Sequence, residues 1–127
     1  LLNFRFNNLR KPLNLEWSKE DLLNENKQIH FALKNQSEIV GSFCLKKINC
    51  STIRLRQMAI EKKFQKQGYG SSILKFTEEF AIKNNYKKII IIARLSAMDF
   101  YKKNFFKTSG NIFTDVTVSS INMYKKI

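Results

Sequence analysis

The chain has 127 residues and a mass of 15.0 kDa, a length that suits one domain over residues 1–127 and leaves no room for a second. Hydrophobic residues make up 43%, enough for a packed core, which excludes global disorder. No apolar run approaches the roughly 18 residues of a bilayer-crossing helix, so no membrane partner is expected.

The net charge is +13, from 23 Lys+Arg against 10 Asp+Glu. Such a charge attracts polyanions within about a Debye length, and nucleic acid, an acidic membrane face or a multiply phosphorylated cofactor all suit it. So does plain compositional bias, because the chain is rich in Lys, Asn and Ile together. Its lysines are scattered in pairs rather than gathered in one block, so charge alone names no partner. The start, Leu1-Leu2-Asn3-Phe4-Arg5, lacks the charged-then-apolar pattern of a signal peptide and has no initiating Met, so a few upstream residues are expected to be missing. Two cysteines cannot make a disulfide framework, and the expected compartment is a reducing cytoplasm.

In chain order, Leu1–Leu15 reads as a helix ending near Pro12, since proline disfavours helix in the residue before it. Ser18-Lys19-Glu20-Asp21 matches a capping box ahead of Leu22-Leu23 and predicts a second, short helix. Gln28–Lys34 reads as a strand, Asn35-Gln36 as a turn, Glu38–Ile48 as a second strand, Asn49-Cys50-Ser51 as a turn and Thr52–Ile60 as a third strand. Together they predict an antiparallel meander. The period then changes: Tyr69, Ile73, Phe76 and Phe80 are spaced four, three and four, one face of a helix running Gly68 to Asn84. Lys88–Ala93 is β-branched and apolar on both faces, which predicts a central strand covered from both sides. Ser96-Ala97-Met98-Asp99 reads as another capping box, opening a short helix through Lys103. Phe105–Thr108 and Asn111–Val118 read as strand or hairpin, and Ile121–Lys126 as a terminal strand. The predicted order is ααβββαβαββ, a mixed α/β architecture with one crossover helix between Ile60 and Lys88.

The informative stretch is Met58 to Ser71. A strand ends, a polar basic loop follows, and Gly68-Tyr69-Gly70 opens an amphipathic helix. Backbone N–H groups at a helix N-terminus lack internal partners and carry partial positive charge, which suits phosphate. Two near-adjacent glycines would let those nitrogens approach it closely, and Lys62, Lys63 and Lys66 add charge at the rim. Neither a nucleotide P-loop nor a dinucleotide fingerprint fits: no Gly-Lys-Ser/Thr occurs, and position 73 is Ile rather than Gly.

Gln65-Lys66-Gln67-Gly68-Tyr69-Gly70 resembles the [Q/R]-x-x-G-x-[G/A] acyl-CoA loop of the GNAT superfamily of N-acetyltransferases. Arg56–Ile60 is similar to the strand beside the cofactor in that family, and Ala93–Phe106 resembles its A-x-x-x-A-x-x-F-Y-x-x-x-G-F segment. Leu9–Leu13 and Phe113-Thr114-Asp115 resemble a largely uncharacterised bacterial subgroup. The resemblance implies a mixed, mostly antiparallel sheet flanked by helices. It implies that the amides of Gln67, Gly68, Tyr69, Gly70 and Ser71, with Gln65 and Lys66 in the same loop, hold the pyrophosphate of coenzyme A. It further implies that Met58, Ala59 and Ile60 pair with the pantetheine arm and present an N–H to the thioester. Arg94 would lie near the pantetheine, where many members have Asn, and Tyr101 would protonate the departing thiolate. Two positions depart from the pattern: Phe105 stands where the family has Gly, and Ser120 where the subgroup often has His.

Other residues carry plainer readings. His30 lies within a strand and reads as packed or surface; with one His and no Cys-x-x-Cys, no metal is expected. Cys44 reads as a buried thiol and Cys50 as a turn residue. Glu61 is a candidate base or a solvated carboxylate. Asp115 is a second candidate base, and a water chain can also remove the amine proton. The plainer reading of Tyr101 is a core aromatic beside Phe100. The expected activity is transfer of an acetyl or longer acyl group from acetyl-CoA to a primary amine, by a monomer or homodimer. The rival is a non-catalytic module on the same fold that binds acyl-CoA or nucleic acid. Nucleic acid is disfavoured, since it would need a contiguous basic face.

Overall fold

The fold is described from a computed structural model, over residues 4–5, 15–21, 28–35 and 38–127. Its elements are β1 (Phe4–Arg5), β2 (Leu15–Asp21), β3 (Gln28–Asn35), β4 (Glu38–Lys47), β5 (Thr52–Ile60), α1 (Tyr69–Lys83), β6 (Lys88–Arg94), α2 (Met98–Lys103), β7 (Lys107–Asp115) and β8 (Val118–Lys126). The strands form one sheet in the order β1-β2-β3-β4-β5-β6-β8-β7. Every neighbouring pair is antiparallel except β5 with β6, which α1 connects as the crossover. This is the expected mixed α/β class, and from Gln28 onward the element order is the expected βββαβαββ.

The two N-terminal helices are not found where the chain is described. Phe4–Arg5 and Leu15–Asp21 are strands, and β2 pairs with β3 from Leu15↔Asn35 to Asp21↔Ile29. Ser18 and Asp21 therefore sit in a strand rather than a capping box. Pairing to the open edge of the meander outweighs a short-range capping signal. The remainder of both expected helices falls outside the described residues.

The core lies between α1 and one face of the sheet. Phe31, Leu33, Phe43, Leu45, Ile53 and Leu55 alternate along β3, β4 and β5 and are buried. Phe76 of α1 meets Phe31 and Phe43 edge-on, at centroid distances of 5.0 and 5.7 Å. At its C-terminus α1 closes with a Schellman motif: Tyr86 N donates to Ala81 O, Asn85 N donates to Ile82 O, and Asn85 has φ +66.

Strand β6 differs from expectation on one side. Ile89, Ile91 and Ala93 are buried in the core, whereas Ile90 and Ile92 are half-buried and border an open hollow of about 600 Å³. The second capping box also fails to form. Leu95–Ala97 is a 3₁₀ turn, and α2 starts at Met98 with Ala97 as N-cap and no side-chain cap bond. β7 and β8 form one hairpin, turning at Val116 (φ +47) and Thr117 (φ +69), in place of the separate short strands expected before Ile121. Cys44 and Cys50 are both free thiols. Among the described residues no helix is long and apolar enough to cross a membrane.

Candidate active site

β5 and β6 pair only at Thr52–Arg54 with Lys88–Ile90. Past that point they part, and a cleft of about 640 Å³ opens between them. A bulge bends β5 at this point: Gln57 has φ +54 and the β4–β5 register shifts between Ser42 and Cys44. Gly41 keeps the two strands close below the bulge, where a Cβ would stand 2.7 Å from the Ala59 carbonyl oxygen. Along the rest of β5, the main-chain groups that face β6 have no strand partner. They are a ready edge for an extended ligand.

Met58, Ala59, Ile60, Gln65, Arg94, Tyr101 and Asp115 all border this cleft. Seven of the predicted site residues, from 58 to 115 in sequence, thus line one cleft, whereas residues 66–71 do not line it and Ser71 borders another hollow with Phe105 and Lys125. At the mouth, Gln65 Nε2 donates to the Ile60 carbonyl at 3.1 Å and Gln67 Nε2 to the Lys63 carbonyl at 3.1 Å. Lys66 (φ +62) and Gly68 (φ +88) then turn the chain into α1. The N-cap of α1 is Gly68, with no side-chain cap bond and no acidic residue in the first turn. The partial positive charge of this helix end is therefore not offset by a side-chain cap or a first-turn carboxylate.

The two glycines also do structural work in the fold. Gly68 supplies the left-handed turn, with nothing within 4 Å of the Cβ it lacks. Gly70 is fixed by packing: a Cβ there would lie 3.0 Å from Phe100 Cζ, so its absence lets α1 and α2 meet. Tyr69 is buried, its ring 5.9 Å from that of Phe64, so its side chain belongs to the core. Of the rim lysines, Lys63 pairs with Glu38 and lies over the Phe64 ring at 5.2 Å. Lys62 and Lys66 are exposed.

Tyr101 is 9% exposed, held edge-on between Phe100 (5.1 Å) and Phe106 (5.8 Å). Burial raises its pKa above the ordinary phenol value, so the hydroxyl stays protonated at neutral pH. Phe105 explains why the family pattern has Gly there. It is the C′ residue of α2, at φ +72, in a Schellman motif where Phe106 N donates to Tyr101 O and Phe105 N to Lys102 O. Ser120 is buried and donates to the Val118 carbonyl at 3.2 Å. Asp115 ends β7, exposed, directly before the strained Val116-Thr117 turn.

A group on the face away from α1 was not anticipated. Gln28 Oε1 accepts from Arg56 NH1 at 2.9 Å and from Cys44 Sγ at 3.0 Å, with His30 Nε2 3.8 Å from the same sulfur. Burial pushes the Cys44 thiol up, against Arg56 and Lys46. The alternation of Arg54 and Arg56 between Ile53, Leu55 and Gln57 is the sequence signal that two cations share that face.

An acetyltransferase (GNAT) domain model matches residues 7–127, and the chain belongs to the GNAT family of acetyltransferases. Solved structures share its fold. One, described as an N-acetyltransferase from Lactobacillus plantarum, has a TM-score of 0.76 at 18% identity, covering 84% of this chain and 74% of that one. A GNAT family acetyltransferase from Elizabethkingia anophelis with acetyl-CoA bound gives 0.70 at 20% identity, over 80% and 77%. A Bacillus subtilis acetyltransferase in complex with CoA gives 0.74 at 14% identity, over 89% and 99%.

Proposed function

We propose that the protein is an N-acyltransferase that moves an acetyl group from acetyl-CoA to a primary amine. The observation that carries this reading is the cleft between β5 and β6. It has an uncapped helix N-terminus at its mouth, an unpaired strand edge along its wall and a protonated phenol inside.

In this reading the pyrophosphate of acetyl-CoA rests on the amides of residues 67–71, with Gln65 and Lys66 beside it. The pantetheine arm lies along Met58, Ala59 and Ile60 as an added strand, near Arg94. The neutral amine attacks the thioester carbonyl carbon, and a main-chain N–H of the β5 edge meets the oxyanion. The C–S bond then breaks as the C–N bond is kept. Asp115, directly or through water, takes the proton that the amine loses, and Tyr101 gives one to the departing thiolate. The products are the acetylated amine and free CoA thiol. The two free cysteines suit a reducing cytoplasm, where acyl-CoA would be met.

The test is to incubate the protein with acetyl-CoA and a panel of amines, measuring free thiol and acetylated amine. Amine-dependent thiol release, matched by acetylated product, is expected. Tight acetyl-CoA binding without any transfer would replace the enzyme by a binding module.

A further inference from the structure

We infer that the amine acceptor carries an anionic group, a carboxylate or a phosphate, that docks on Arg54 beside the cleft. The inference rests on the acyl-transfer reading and gives it a substrate class.

β5 alternates: Ile53 and Leu55 are buried beneath α1, and Arg54 and Arg56 stand on the other face. Arg56 already has Gln28 as a partner, at 2.9 Å. Arg54 Nε is buried and has no hydrogen-bond partner. Burial and the neighbouring Arg56 both disfavour its charged form, with Asp115 pulling the other way. A buried guanidinium Nε–H without a partner is costly, and a two-oxygen anion is the ligand whose geometry satisfies it together with a neighbouring N–H of the planar fork.

The position suits an acceptor rather than the cofactor. Arg54, with Ile91 and Ile92, borders both the cleft and the 600 Å³ hollow, so the two spaces adjoin there. It lies six residues before Ile60, about 20 Å from the mouth along the strand. It is also on the face away from α1, whose N-terminus would hold the pyrophosphate. The hollow adds Lys88 and Lys126 and no carboxylate to its lining, and the cleft adds Arg94, with Asp115 as its one lining carboxylate. A polyamine would meet repulsion here.

The experiment uses the full chain, acetyl-CoA and matched acceptors. These are short ω-amino acids of graded length, each beside its amide; aminoalkyl phosphates beside the matching aminoalcohols; and α,ω-diamines. The readout is kcat/KM from thiol release. The best acid should exceed its neutral counterpart about tenfold or more, as one charge-assisted contact warrants. Diamines should be poorest, and the larger ratio identifies carboxylate or phosphate as the anion. Arg54→Gln should bring the acid-to-neutral ratio toward one, and Arg54→Lys should restore part of it. Equal rates for acid and neutral partner in the wild type, or a ratio untouched by Arg54→Gln, would overturn the inference while acyl transfer stands. Thiol release that no amine increases would instead overturn acyl transfer. The anion site is then decided by binding. With CoA filling the loop, inorganic phosphate or acetate should raise the Tm of the wild type more than that of Arg54→Gln; equal shifts overturn the site.

Discussion

Tyr101 stands inside the cleft where, in the proposed reaction, a thiolate departs. Replacing it with Phe keeps the ring contacts to Phe100 and Phe106 and removes only the hydroxyl. The expected fall in kcat is about 10²-fold or more, with the acetyl-CoA thermal shift retained. Loss of that shift would make Tyr101 a packing residue instead. Its raised pKa sets the pH behaviour. The folded protein holds the phenolic proton more tightly than the unfolded chain, whose value is about 10. The stability this contributes is therefore complete below about pH 10 and lost as pH rises through the folded pKa. The kcat profile should likewise show no alkaline limb from this group below about pH 10, and Tyr101→Phe should abolish the limb above it. Gly70 is a second point at this scale. Gly70→Ala should destabilise by about 1–3 kcal/mol, the usual cost of overpacking, by pressing on Phe100. Phe100→Leu should relieve most of that cost, and additive losses in urea melts would refute the contact. The motif made Gly70 legible only as a small residue, Gly or Ala, and not the reason for it here: contact between α1 and α2 is a tertiary fact that no local pattern carries.

Elements from Thr52 onward were largely legible. The strand Thr52–Ile60 and the helix beginning after Gly68 are found as read, because a change of period from two to near 3.6 is a strong local signal. The helices expected in Leu1–Leu15 and after Ser18 rested on proline and capping chemistry; in their described parts, Phe4–Arg5 and Leu15–Asp21, register pairing overrides it, and β2 completes seven pairs with β3 instead. The bulge at Gln57 was illegible, since nothing about glutamine marks a left-handed backbone. At the end of α2, the motif does give the physical reason for a family glycine. Phe105 is 77% exposed and held at φ +72, with Lys125 Nζ 5.5 Å from its ring centroid. Phe105→Asn and Phe105→Ala both lose that ring, but only Asn tolerates the left-handed region. Asn should be the more stable by about 1 kcal/mol. Equal urea midpoints would show that the C′ conformation is not what position 105 is selected for.

At the scale of the whole molecule, one topological fact builds the site. A single parallel pair in an otherwise antiparallel sheet leaves β5 and β6 free to part, and α1 delivers its N-terminus to the opening. The net charge of +13 adds attraction for a polyphosphate. Neutralising Lys62 and Lys66 should weaken acetyl-CoA binding more than neutralising Lys125 and Lys126. Lys125 is already paired with Glu78. The most direct measurement is the Tm in acetyl-CoA against S-acetyl-pantetheine, which lacks the pyrophosphate. Acetyl-CoA at about 100 times its Kd should add about 2.7 kcal/mol of stability, S-acetyl-pantetheine far less, and Gly68→Val should lose the difference. A wild-type Tm indifferent to millimolar acetyl-CoA, or equal shifts from both compounds, would contradict a cofactor cleft anchored on the α1 N-terminus.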